Sequence, residues 1–204
     1  MMATTHALVG AAIAATVATA FPETAPAALV AAVVGSVFPD LDLYAGHRRT
    51  LHYPAYYWAA VALALVVAAV SPGPLAVAAV LFLVGAAIHS GMDAFGGGLE
   101  LRPWEGTSER AVYDHLNGRW LPPKRWVPYD GAPEDLALAG LLSAPAFLAF
   151  GDEPIVRAGL LAVLGVSAAW VLLRRHVATL TERFAASLPA TLRAYLPDRF
   201  LTAH

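Results

Sequence analysis

The fold is decided by residues 53–93, which read YPAYYWAAVALALVVAAVSPGPLAVAAVLFLVGAAIHSGMD. Two apolar runs, Tyr53 to Val70 and Pro74 to Ile88, are separated by the sequence Ser-Pro-Gly-Pro, which is a strong turn signal. With its flanking residues, each run has about the 20 residues that a helix needs to cross the hydrocarbon core of a bilayer. The stretch therefore predicts two membrane helices joined by a tight turn.

Four more apolar segments extend this pattern along the chain. Two of them, Leu136 to Phe150 and Ile155 to Leu173, again predict full membrane helices. The two earliest, Ala7 to Phe21 and Pro26 to Phe38, are shorter and predict a tight or re-entrant helical hairpin. The first is also compatible with a cleavable signal peptide, because Ala18-Thr19-Ala20 resembles a cleavage site, but no Lys or Arg precedes it.

The composition supports the same fold class. Of the 204 residues, 58% are hydrophobic and only 14% are charged, whereas soluble domains carry about 25% charged residues. We therefore predict an all-α, polytopic membrane helical bundle of about six hydrophobic helices, formed by a single integral-membrane domain over residues 1–204. Residues 94–133 are expected to form a polar cytoplasmic loop, and residues 188–204 an amphipathic C-terminal tail on the membrane surface.

Basic residues give the expected orientation. If the six segments alternate, 12 of the 13 Lys and Arg residues lie on the side of the N-terminus, and Arg157 alone lies on the other side. The positive-inside rule then places both termini at the cytoplasmic face of the cell membrane. The 12 residues are Arg48, Arg49, Arg102, Arg110, Arg119, Lys124, Arg125, Arg174, Arg175, Arg183, Arg193 and Arg199.

Histidine and aspartate side chains collect at this same membrane boundary. They begin the first segment, follow the second, precede the third and end the fourth, where His89 and Asp93 share one helical face. Ionisable residues beside membrane helices are costly and tend to be functional. The predicted metal-site residues are His6, Asp40, Asp42, His47, His52, His89 and Asp93.

The donor types indicate which ions this cluster suits. Imidazole and carboxylate ligands, in a chain without cysteine, suit a divalent ion such as Zn, with Mn, Fe or Mg as alternatives. Seven candidates are enough for one or two ions. The best ligands are His6, Asp40, His52, His89 and Asp93, whereas Asp42 and His47 are either ligands or groups that orient an imidazole.

The loop over residues 94–133 mixes Trp and Tyr with basic residues. Such residues beside a membrane favour the headgroup layer, so membrane lipids are expected partners. Acidic residues balance the basic ones, and nucleic acid is not an expected partner.

The ordered motifs resemble a known family. They are Thr5-His6, Pro39-Asp40-Leu41-Asp42, the segment from His47 to His52, and the segment from His89 to Asp93. In this order and spacing, over roughly residues 5–105, the chain resembles the YdjM-type family of membrane-bound, metal-dependent hydrolases. The chain departs from the family pattern at Arg49, Leu51 and Tyr53, which stand where that pattern has Gly, Thr and Ser.

The resemblance implies an activity. The family is distantly similar to the zinc-dependent phospholipase C group, which implies hydrolysis of a phosphoester or lipid-derived substrate by a metal-activated water. The substrate would be a small molecule or a lipid. Asp40 or Asp42 is the expected general base, and Arg48 either neutralises a phosphoryl oxygen or anchors the chain at the membrane surface. The alternatives are a non-catalytic protein that a metal stabilises, or a solute carrier.

Overall fold

The computed structural model describes residues 1–196 and 200, and its main elements are helices. The helices are α1 (Ala3–Ala20), α2 (Ala25–Val37), α3 (Tyr56–Val70), α4 (Pro74–Met92), α5 (Pro133–Phe150), α6 (Pro154–Ser187) and α7 (Ala190–Arg193). The strands are β1 (Val112–Asp114) and β2 (Arg119–Leu121). The predicted all-α membrane bundle is confirmed, with one small antiparallel hairpin that the sequence analysis did not predict.

Five segments within the described part of the chain are long and apolar enough to cross a membrane. These segments are Ala3–Ala20, Pro22–Asp42, Pro74–Phe95, Pro133–Phe150 and Pro154–Ser187. The first two are the segments for which the sequence predicted a short hairpin, and both are longer than that prediction. α1 begins four residues earlier than expected, and a 3-10 turn over Phe38–Asp42 extends α2.

Two helix boundaries differ from the sequence-based prediction. α3 has only 15 residues, or about 22 Å, and is therefore shorter than the full membrane helix predicted for Tyr53 to Val70. It begins at Tyr56 because the preceding residues, which include Pro54, form an irregular segment that carries His52. α6 continues beyond Leu173 to Ser187 and ends before Pro189, whose ring cannot continue a helix. The predicted tail over residues 188–204 falls partly outside the described residues, and its described part contains only the short helix α7.

Small residues allow the membrane helices to pack closely. α1 is central and packs against α2, α4, α5 and α6, while α2 also packs against α4. A Cβ atom added at Gly35 of α2 would lie 2.1 Å from the carbonyl oxygen of Phe82 in α4, so only glycine allows this approach. Large apolar side chains such as Leu148 and Ile155, which are 89% and 88% exposed, cover the outside of the bundle. This surface fits lipid as its surroundings.

The segment between α4 and α5 folds back over one end of the bundle. Its hairpin donates a hydrogen bond from the backbone N–H of Tyr113 to the carbonyl of Arg48. Further backbone bonds join Lys124 to Ala94 and Val127 to Phe95. The same end of the bundle carries the polar residues that the sequence analysis singled out, so this segment covers them.

Candidate metal centre

Four side chains from three segments converge at the covered end of the bundle. Asp40 lies in the 3-10 turn after α2, His52 lies in the segment before α3, and His89 and Asp93 lie at the end of α4. Each offers one ligand atom, and these four atoms all lie within 4.8 Å of one another. This group of four residues, called the metal group below, could hold a metal ion.

Three members of the metal group are buried, and one is partly exposed. The side chains of His52, His89 and Asp93 are 0–1% exposed, whereas that of Asp40 is 22% exposed. Nε2 of His52 lies 3.3 Å from Oδ2 of Asp93, and Nε2 of His89 lies 3.4 Å from Oδ1 of Asp40. The site is therefore closed on the protein side and accessible at Asp40.

Hydrogen bonds fix which imidazole nitrogens face the centre. Nδ1 of His89 donates to the carbonyl oxygen of Ser36 at 2.6 Å, and Nδ1 of His52 donates to Oδ2 of Asp42 at 3.0 Å. In the neutral tautomer, each Nε2 then carries a lone pair. The two Nε2 atoms lie only 3.1 Å apart, and two acceptors at this distance need a cation or a proton between them. The donor set therefore fits a divalent cation.

Asp42 holds the surrounding segment together and does not point to the centre. Its two oxygens accept hydrogen bonds from Nδ1 of His47 and of His52 and from the backbone N–H groups of Arg48 and Leu51. Of the two roles predicted for Asp42 and His47, this geometry favours the orientation of an imidazole. The predicted role of Asp42 as a general base does not fit, because all four of these donors already occupy its buried carboxylate.

Carboxylates set the charge around the two histidines of this segment. Burial lowers the pKa of His52, but the hydrogen bonds with Asp42 and Asp93 outweigh burial and raise that pKa above its usual value. For His47 burial dominates, and its pKa is lowered despite the bond with Asp42. The field at His52 thus favours a positive charge at the centre, which a metal ion would also supply.

Asp93 is held from both sides. Its Oδ1 lies 3.0 Å from the α-amino group of Met1 and 3.2 Å from Nε2 of His6. Its Oδ2 lies 3.1 Å from Nε of Arg48, whose Nη1 donates to the carbonyl of Gly97 at 2.7 Å. His6, although predicted as a ligand, lies beside the metal group and contacts it through Asp93 and by stacking on the ring of His89.

The structure places the side chain of Arg48 inside the protein. Its side chain is 7% exposed and forms an ion pair with Asp93. The surface-anchor alternative does not fit this burial. Arg48 lies in a turn and has φ 60°, a left-handed conformation that only a few per cent of non-glycine residues adopt.

A cavity of about 610 Å³ opens beside the metal group. Asp40, His47 and Arg48 line it beside the metal group, and the other walls come from α1, α6, the end of α2 and the loop that includes residues 98–101 and Asp130. Neither this cavity nor the acceptor role of the Ser36 carbonyl was predicted. The Ser36 carbonyl is a backbone group and leaves no signal in the sequence, and the cavity walls come from residues far apart in the chain.

All seven residues predicted for the site therefore meet at one end of the bundle. Four form the metal group, and the other three contact it or its supporting carboxylates.

Of the comparisons with known proteins, only the one with family models gives a match. No curated protein and no solved structure matches the chain. The family model described as YdjM inner membrane protein matches residues 1–176, a range that includes the metal group and five of the six apolar helices in full. The chain therefore belongs to the YdjM inner membrane protein family.

Proposed function

We propose that this protein is a membrane-bound, metal-dependent hydrolase that acts on a phosphoester or lipid-derived substrate. The observation that carries the proposal is the asymmetry of the metal group. Three of its members are buried, and the fourth, Asp40, borders a cavity large enough for a small-molecule ligand. The charge asymmetry of the sequence supports a position of the site at the cytoplasmic face.

The metal group suits zinc, with Mn, Fe or Mg as alternatives, because it combines two imidazoles with two carboxylates. When bound, such an ion supplies Lewis acidity and lowers the pKa of water, so that a nucleophile is available near neutral pH. The remaining contributions come from the side chains around it.

In the proposed reaction, the oxygen of water forms a new bond to phosphorus, and the ester P–O bond breaks. One proton of the water goes to the carboxylate of Asp40, which returns it to the leaving alkoxide, so that an alcohol and a phosphate product result. Asp40 suits this role because it is the only partly exposed member of the metal group. Arg48 borders the same cavity, and its guanidinium would neutralise a phosphoryl oxygen.

The second candidate is a non-catalytic protein in which a bound metal ion only stabilises the fold. The observation in its favour is the tight enclosure of Asp93, whose two oxygens already contact Met1, His6 and Arg48. Under this alternative, removal of the metal would lower the melting temperature, and the metal-loaded protein would hydrolyse nothing.

The test uses purified protein in detergent, stripped with a chelator and reloaded with one metal at a time. We expect hydrolysis of a nitrophenyl phosphodiester or phosphomonoester in the reloaded protein. His89→Ala and Asp93→Ala should lose both metal and turnover, and Asp40→Asn should lose turnover more than metal. The matched control is Asp114→Asn, at the end of β1 and outside the metal group.

Two results would decide against catalysis by this centre. Full turnover in His89→Ala after chelation would exclude the metal group as the active site. A wild-type protein that binds one metal ion and loses stability on chelation, yet cleaves none of the esters, would support the second candidate.

A further inference from the structure

We propose that Asp135, in the first turn of α5, is a positioning residue that orients the metal group through the first turn of α1. Its side chain is 0% exposed. In the described part of the chain its hydrogen-bond partners are a hydroxyl and two backbone N–H groups, none of them charged. A buried carboxylate without a cationic partner is costly and needs a physical reason. The inference rests on the metal group of the proposed function and not on the reaction.

Three donors hold the Asp135 carboxylate between the beginnings of two helices. Its Oδ2 accepts from the backbone N–H of Met2 at 2.8 Å and from that of Gly131 at 3.3 Å. Its Oδ1 accepts from the hydroxyl of Thr5 at 2.6 Å. The positive ends of the dipoles of α1 and α5 both lie here, and they favour a negative charge in place of a cationic side chain.

Asp135 supplies what the beginning of α1 lacks in its own sequence. The N-cap residue of α1 is Met2, which makes no capping hydrogen bond with its side chain. Helices usually begin with Ser, Thr, Asp or Asn, because the side-chain oxygen of these residues accepts a hydrogen bond from the first turn. At α1 the oxygens come from another helix, 130 residues after Thr5 in the chain.

The hydrogen bond at Thr5 sets the rotation of α1 and therefore the direction of His6. Successive residues of an α-helix point about 100° apart, because one turn takes 3.6 residues. While the side chain of Thr5 is held against α5, the side chain of His6 turns towards α4. There its Nε2 lies 3.2 Å from Oδ1 of Asp93.

His6 restricts the movement of two members of the metal group. Its ring stacks on the ring of His89, with the centroids 3.7 Å apart, and its Nε2 is one of the partners of Asp93. The side chain of His6 is 0% exposed, so it turns aside only if the helix moves. The influence of Asp135 on the metal group therefore passes through Thr5 and His6.

The rest of α1 is held independently of Asp135. The helix packs against α2, α4, α5 and α6, and the hydroxyl of Thr4 accepts a hydrogen bond from Ser167 of α6 at 2.8 Å. Loss of the Asp135 contacts should therefore loosen the first turn of α1 and leave the bundle folded. Such loosening is measurable at the metal group.

The test measures the geometry of a bound metal separately from activity. Purified protein in detergent is stripped with a chelator and titrated with Co²⁺, whose visible absorption reports the number and arrangement of its ligands. Asp135→Ala leaves three donors without their acceptor, so we expect a Co²⁺ affinity about tenfold or more below that of the wild type and an altered absorption spectrum. Circular dichroism at the same temperature checks that the variant remains helical.

Milder variants keep the test decisive if Asp135→Ala does not fold. Thr5→Val keeps the shape of the side chain but removes the hydroxyl, and it should weaken Co²⁺ binding about three- to tenfold. Thr5→Ser should restore the wild-type affinity. Asp135→Asn should bind Co²⁺ within about threefold of the wild type, because its amide oxygen still accepts from the two backbone N–H groups and the Thr5 hydroxyl accepts from its NH₂ group.

The matched controls are Asp114→Ala and Thr16→Val. Asp114 also accepts three hydrogen bonds but lies at the end of β1. Thr16 lies in α1, and its hydroxyl donates to the carbonyl of Ile13 in the same helix. Neither substitution should change the Co²⁺ affinity or the spectrum.

The outcomes separate this inference from the proposed function. Wild-type Co²⁺ affinity and spectrum in folded Asp135→Ala or Thr5→Val would overturn the inference, as would a wild-type protein that binds no Co²⁺. An Asp135→Asn variant as weak as Asp135→Ala would also contradict it, because the hydrogen bonds would then not be the link. Altered Co²⁺ binding in these variants of a protein that hydrolyses nothing would support the inference while the proposed function fails.

Discussion

Replacement of Asp42 by Asn tests whether this residue positions the metal group. The substitution keeps the size of the side chain but removes its charge and turns one acceptor oxygen into an NH₂ group, which can only donate. In the structure, Oδ1 accepts from His47 and Arg48, and Oδ2 accepts from Leu51 and His52. Whichever way the amide turns, two of these four donors lose their acceptor.

The size of the effect follows from these contacts. A hydrogen bond to a charged group contributes about 1.5–3 kcal/mol, so the loss of two should lower the free energy of unfolding by about 3–6 kcal/mol. Depending on how the amide turns, His52 either loses the acceptor that fixes its tautomer or keeps an acceptor that no longer carries a negative charge. Loss of such an orienting partner typically weakens metal binding about 10–100-fold.

The assay is a calorimetric titration of Zn²⁺ into chelated protein, together with thermal unfolding of the metal-free and metal-loaded forms. Asp114→Asn is the matched control, since Asp114 also accepts three hydrogen bonds but lies at the end of β1, outside the metal group. Its metal affinity should not change. The reasoning would be refuted if Asp42→Asn bound Zn²⁺ as tightly as the wild type and melted at the same temperature.

Three further predictions concern packing, the role of Arg48 and topology. Gly35→Ala should lower the free energy of unfolding by about 1–3 kcal/mol, because its Cβ would meet a backbone carbonyl of α4, whereas Gly140→Ala, whose Cβ would meet nothing within 4 Å, should not destabilise the protein. Arg48→Ala should reduce turnover while the metal content stays normal. Unchanged turnover would mean that Arg48 serves only its ion pair with Asp93. Single cysteines at Ser71 and Ser187, in a chain that has no native cysteine, should react with impermeant reagents from opposite sides of the membrane, and labelling from one side would contradict the alternating topology.

Much of the fold follows from local properties of the sequence. Length and polarity of the apolar runs determine where membrane helices form, and the Ser-Pro-Gly-Pro turn separates α3 from α4. Alternation of these helices brings their polar ends together, which is why the residues of the metal group could be predicted from motifs as far apart as Asp40 and His89. Helix ends were less predictable. The apolar run begins at Tyr53, but α3 begins only at Tyr56, after the irregular segment that carries His52.

The tertiary structure alone decided where each of these side chains lies and what it contacts. Asp40 and Asp42 are two residues apart and chemically identical, yet one borders the cavity and the other is buried under four hydrogen bonds. Arg48 carries the same charge as its neighbour Arg49, but only Arg48 turns inward to Asp93. Such roles depend on which atom faces which neighbour across the bundle, and a linear pattern of residue types does not contain those distances.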